Sequence, residues 1–274
     1  MKRALMAGTM AAAALVVAPA GVSASGPAGS TVEITYGPDF RFGDRLYVQG
    51  TDQPDEISVE GLPDLLTIRT SAPITLTDER TEQNCELESA TVARCGFDVY
   101  AVEGVSIYGR SGDDDLLDET ASGFSILHGD DGNDQLTGGE GEEELQGGRG
   151  ADQIEGGEGG EFIDGGAGRD QISGSTGSES IRGASGRDQI SGGDHRDRLL
   201  GGRGRDDLRG GGGPDELEGQ AGRDRFRGGQ GSDELDASQD DRDKVVACGP
   251  GRADKAELDE VDPRPRGCET TERI

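Results

Sequence analysis

Between residues 129 and 236 the chain repeats itself every nine residues, twelve times, with no insertion or deletion. Position six of each nonapeptide is Asp or Glu, position eight is Leu, Ile or Phe, and glycine dominates positions one, two and four. A fixed short period is the signature of a stacked array, in which each unit buries its apolar face against its neighbours. With one apolar position in nine, an ordinary layered core is excluded. Composition agrees: 31% of the 274 residues are hydrophobic, 49 are glycine, and the formal net charge is −29. Without repetition such a chain would sit close to the disordered class.

The glycines allow positive φ and a tight turn. The last three residues of each unit are long enough for a minimal strand with its single apolar side chain pointing inward. Two units, eighteen residues, therefore close one turn, and successive turns stack as parallel strands about 4.8 Å apart. The expected core is two facing ladders. One holds Leu136, Ile154, Ile172, Ile190, Leu208 and Phe226; the other holds Leu145, Ile163, Ile181, Leu199, Leu217 and Leu235.

The same period stacks carboxylates. Asp134, Asp152, Asp170, Asp188, Asp206 and Asp224 fall on one edge. Two like charges about 5 Å apart at an effective dielectric of 20 repel by roughly 3 kcal/mol. A divalent cation between neighbours reverses the sign of that interaction. A cage of carboxylate and carbonyl oxygens, with no His or Cys, suits calcium. The opposite edge begins with Glu143, Glu161 and Glu179 and returns to aspartate at Asp197, Asp215 and Asp233, with His195 and Pro214 interrupting its loops. Because Glu is one methylene longer, the all-aspartate edge is expected to bind metal well and the glutamate stretch weakly or not at all.

The pattern G-G-x-G-x-D-x-(Leu/Ile/Phe)-x resembles the RTX, or hemolysin-type, calcium-binding repeat. The resemblance covers residues 129–236 strictly and residues 109–117 (GRSGDDDLL) loosely. It implies an all-β chain, a right-handed parallel β-roll or β-solenoid. Ca2+ would lie between its loops, held by the position-six aspartates named above and by loop carbonyls of neighbouring turns. RTX toxins usually carry a C-terminal export signal, whereas this chain opens like an N-terminal one. The whole layout, with its CGPG…GC tail, resembles secreted calcium-binding repeat proteins of high-GC Gram-positive bacteria.

Residues 1–24 read as a signal peptide: Lys2 and Arg3, an apolar stretch over residues 4–17, and small-x-small sites at Ala18-Pro19-Ala20 and Val22-Ser23-Ala24. The stretch is too short for a comfortable membrane span. The expectation is a secreted, extracellular protein, free or cell-surface associated, with no membrane span in its mature form. A linker at 26–30 leads into residues 31–108, whose alternating apolar runs, Val99–Val102 among them, read as short strands of an irregular β-solenoid. The roll is expected over 109–236. Residues 237–274, with Pro250, Pro263 and Pro265, read as a cap on its open end. Four cysteines in an exported chain suggest disulfides, with three possible connectivities. The local pairing, Cys85 with Cys95 and Cys248 with Cys268, flanks the array and is preferred; the spacings do not suit zinc.

Arg169, Arg187, Arg205 and Arg223 precede four aspartates of the all-aspartate edge. They read either as a solvated surface ladder or as guanidinium groups that neutralise the carboxylates and replace some calcium. The acidic surface argues against nucleic-acid and anionic-membrane partners. No nucleophile–base or phosphate-binding motif occurs, and His128 and His195 lack a nucleophile partner. The expected function is a non-enzymatic, calcium-binding secreted module. Its alternatives are an adhesin or surface-assembly protein with a cell-surface or polysaccharide partner, and a polysaccharide-active enzyme on a β-solenoid with its catalytic part in 31–108.

Overall fold

The computed structural model describes residues 31–39, 43–62, 65–76, 85–96, 104–120, 124–239, 243, 245–251, 253–260 and 262–273. The signal-like segment, the linker at 26–30 and the run 99–102 lie outside them. Among the described residues every regular element is a strand. The strands form a 13-stranded and a 12-stranded sheet, and through the array each turn adds one parallel strand to each.

The two ladders read from the sequence are the core. In one sheet Leu136 pairs with Ile154, Ile154 with Ile172, Ile172 with Ile190, Ile190 with Leu208 and Leu208 with Phe226. In the other, Leu145, Ile163, Ile181, Leu199, Leu217 and Leu235 stack in the same way. All twelve are buried. Both ladders run past the regular repeats: Ile57 and Leu116 precede Leu136, Val48, Ile107 and Leu127 precede Leu145, and Val246 and Ala256 follow at the other end. An eighteen-residue period with a strand on each side thus brings every position eight above its predecessor.

The segment before residue 109 is solenoidal only in part. Gly43–Gln49 and Glu56–Leu62 pair in parallel with the first turn of the roll. Val32–Asp39, Leu65–Thr70, Val92–Gly96 and Cys85–Ser89 are instead added antiparallel. This antiparallel layer covers the edge that the first turn would otherwise expose. Cys85 and Cys95 face each other across its last hairpin and are joined by a disulfide. At the far end Val245–Ala247, Lys255–Leu258 and Thr270–Arg273 continue the parallel stacking, and the second disulfide joins Cys248 to Cys268. The local pairing is therefore the one adopted.

The glycines divide into two classes. Positions two and four take positive φ in most repeats, as at Gly148 (108°) and Gly150 (136°), but not at Gly132, Gly139 or Gly141. Position-one glycines do not, contrary to the expectation that all three serve the turn. They are glycine for space: a Cβ on Gly147 would overlap the Asp152 carboxylate beneath the loop.

Candidate metal centre

Each loop turns so tightly that its position-six side chain folds under the chain instead of projecting outward. The position-six aspartates are 1–2% exposed. On the all-aspartate edge each carboxylate uses one oxygen in the same way: Oδ1 accepts the backbone N–H of the aspartate one turn earlier. Asp152 Oδ1 accepts from Asp134 at 2.9 Å, Asp170 from Asp152 at 3.0 Å, Asp188 from Asp170 at 2.9 Å, and Asp206 from Asp188 at 2.8 Å. The chain of bonds continues to Asp224 and beyond it to Asp243 and Asp262. In the other direction it passes through Asp114 to Asp55.

The second oxygen is the chemically open one. Oδ2 of Asp134, Asp152, Asp170, Asp188 and Asp206 is buried and has no hydrogen-bond partner. It borders the space that a side chain at position one would fill, and a main-chain carbonyl of the next turn borders the same space. At Gly183 these oxygens are Asp188 Oδ2 and Gly201 O; at Gly201 they are Asp206 Oδ2 and Gly219 O. A buried anion without a partner is costly. Burial accordingly pushes the Asp152 and Asp188 carboxyls up from 3.8 to about 7, and Asp134 to about 6, opposed by the backbone N–H bond and reinforced by neighbouring carboxylates. A hard cation would remove that penalty. The donors are anionic carboxylate and neutral carbonyl oxygens, the set that calcium takes. Among the described residues no three His, Cys, Asp or Glu side chains form a metal cage by themselves. A cation here would draw single carboxylate oxygens from the turns and complete its shell with carbonyls.

The other edge is built differently where glutamate replaces aspartate. Asp197 Oδ1 accepts from Glu179, Asp215 from Asp197 and Asp233 from Asp215, each within 3.1 Å, and Asp254 extends the series. Glu143 instead turns back on its own loop, its Oε1 accepting from Gly141 at 3.0 Å. Both carboxylate oxygens of Glu161 are buried without a partner. Burial lifts Glu143 from 4.5 to about 8 and Glu161 to about 7; Glu179 is lifted to about 9 by burial and by the Asp197 carboxyl beside it. The extra methylene is accommodated beneath the loop, since all three are 2–3% exposed. What it breaks is the regular bond to the preceding turn.

Arg169, Arg187, Arg205 and Arg223 are exposed while the aspartates beside them are buried. Among the described residues no ion pair joins Arg169, Arg187 or Arg205 to a carboxylate. Asp114, Asp243, Asp254 and Asp262 hold the same bonded position outside the regular array, and Asp55 ends the series, donating its N–H to Asp114 while its own carboxylate accepts from Thr51. Asp55 was legible as a carboxylate two residues before an apolar one, in Asp55-Glu56-Ile57. Asp243 sits three residues before Val246, so its turn carries an extra residue that hides the period.

A parallel roll whose edges are lined with inward, half-satisfied carboxylates defines a cation-binding solenoid. Residues 120–142, 137–172, 173–208 and 201–235 match the RTX calcium-binding nonapeptide repeat family, in four copies. Residues 120–235 are therefore an RTX calcium-binding repeat array. No curated protein and no solved structure matches the chain.

Proposed function

We propose that the chain is an exported, non-enzymatic protein whose roll is completed by calcium: Ca2+ enters between turns, and the array folds on it or is stabilised by it. The observation that carries this reading is the column of buried Oδ2 atoms without partners at Asp134, Asp152, Asp170, Asp188 and Asp206. In the metal-free chain this column is buried, and its charge wherever ionised is uncompensated. With Ca2+ each site stabilises the folded state by mass action, about 1.4 kcal/mol per site at ten times its dissociation constant. Extracellular modules bind calcium at about 10⁻⁴–10⁻³ M, so the switch from metal-free to metal-bound would accompany export. Export is supported by the N-terminal residues and by two disulfides, which persist in oxidising compartments.

The test is a calcium titration of the metal-stripped protein followed by far-ultraviolet circular dichroism, with magnesium in parallel. A gain of β-structure with calcium and not with magnesium supports the reading. Full β-structure without metal, together with no response at millimolar calcium, would overturn it.

A further inference from the structure

One edge of the roll carries a column of arginines. On the edge formed by the loops of the all-aspartate repeats, positions three and five from residue 167 to 223 are Ala167, Arg169, Ser185, Arg187, Arg203, Arg205, Ala221 and Arg223, and all five arginines are exposed. From residue 176 to 232 the same positions of the facing edge carry one acidic and one basic side chain, Asp194 and Arg196. In a chain of net charge −29 this basic edge is a strong local departure.

The arginines are held in register. Gly168 pairs with Gly186, Gly186 with Gly204 and Gly204 with Gly222, each immediately before its arginine. The backbone N–H groups of Arg187 and Arg205 donate to the carbonyls of Gly168 and Gly186 at 3.3 and 3.2 Å. The arginine backbones therefore rise one per turn, about 4.8 Å apart. Together with Gln189 the arginines line a surface groove whose lining also holds Asp188, Asp206 and Asp207, the last paired with Arg209, Arg225 and Arg227. Beside them runs a second column, Gln153, Gln171 and Gln189, paired turn on turn and exposed. Cationic forks next to a row of amides form an extended recognition surface for a linear chain that carries an anion at regular intervals and hydroxyls between.

We propose that this basic edge is a docking surface for a linear anionic polysaccharide, laid along the roll axis with its carboxylate or sulfate groups on Arg169, Arg187 and Arg205. One feature favours a polysaccharide over a single nucleic-acid strand: single-strand binders use aromatic platforms, and the exposed large apolar side chain among the described residues, Phe162, lies on the other sheet. The inference stands on the arginine column and does not require the calcium reading.

The test uses the full exported chain in calcium buffer, with binding measured by calorimetry to polygalacturonate oligosaccharides, heparin oligosaccharides, a neutral β-glucan oligosaccharide and oligodeoxythymidine. Wild type is compared with Arg169→Gln/Arg187→Gln/Arg205→Gln and with Arg182→Gln/Arg198→Gln on the other sheet, which controls for net charge. Polygalacturonate binding is expected if carboxylates are recognised, heparin binding if sulfates are. Either should weaken by about tenfold or more in the triple variant, the order expected for three lost charge-assisted pairs, and by less than about twofold in the control. Calcium bridging between acidic polymer and acidic protein would persist in the triple variant, which keeps every carboxylate. Unchanged binding by the triple variant overturns the proposal. So does failure of wild type to bind either acidic polymer, equal binding of the neutral glucan, tighter binding of oligodeoxythymidine, or a triple-variant defect confined to self-association. The calcium response of the triple variant should match wild type, which keeps this test separate from the calcium reading.

Discussion

Asp188 accepts the backbone N–H of Asp170 through Oδ1 at 2.9 Å, while its Oδ2 is buried with no partner. One oxygen of the same carboxylate thus sets the stacking of two turns, and the other is left for a cation. The two roles can be separated by substitution.

Asp188→Asn keeps an oxygen to accept from Asp170 and removes the buried charge. Without calcium it should raise the melting temperature, because an uncompensated buried anion is gone. With saturating calcium it should lower it, because one site is worth about 1.4–2.7 kcal/mol at ten to a hundred times its dissociation constant. Thermal unfolding of both proteins with and without calcium checks this, and an effect of the same sign in both conditions contradicts it.

Acidity should act on the metal-free protein in an unusual direction. The folded-state values of Asp134, Asp152, Asp188 and Glu143 lie at about 6 to 8, above their ordinary 3.8–4.5. The folded state therefore binds protons more tightly than the unfolded chain. The associated stability is full below the ordinary values and is lost as pH rises through 6 to 8. Metal-stripped protein should melt higher at pH 5 than at pH 8. With calcium the order should reverse, because its ligands must be ionised.

Glu161→Asp and Glu179→Asp should extend the regular column of the second edge toward its start. The shorter side chain would let Oδ1 accept from the preceding turn, as Asp197 already does from Glu179 at 3.0 Å. The double variant is expected to bind more calcium per chain and to gain about 1.4 kcal/mol per added site at ten times its dissociation constant. Calcium stoichiometry by equilibrium dialysis reads the first effect directly.

Gly150 and Ala184 make opposite backbone predictions. A Cβ on Gly150, whose φ is 136°, would overlap the carbonyl of Gly132 in the turn below. Gly150→Ala should therefore destabilise by several kcal/mol, on the order of 3 or more. Ala184 already stands at φ 71°. Ala184→Gly should stabilise by up to about 1 kcal/mol, the left-handed penalty less the added chain entropy. Denaturant midpoints measure both.

Much of this architecture was legible because the period does the folding: position eight fixes the ladder and position six the edge, so Leu136 to Phe226 could be stacked on paper. The departures arise where residues answer to neighbours that a period does not show. Gly147 follows the motif, yet its reason is the Asp152 carboxylate beneath it, a contact made by the fold of the loop. The antiparallel layer of Leu65–Thr70 and Val92–Gly96 carries the same alternation as a solenoid strand, and strand direction is set by connection and edge protection. The column of position-six aspartates was legible from the same period; what it did not show is that each Oδ1 is taken by the N–H of the preceding turn, which leaves Oδ2 open.

The most direct test of the central claim is calcium calorimetry on the full exported chain against Asp134→Asn/Asp152→Asn/Asp170→Asn/Asp188→Asn. The column of half-satisfied carboxylates predicts calcium binding by wild type at up to millimolar concentration, and a quadruple variant that stays folded but has lost the sites along that edge. An unchanged stoichiometry in the quadruple variant, or no calcium binding by wild type, would contradict it.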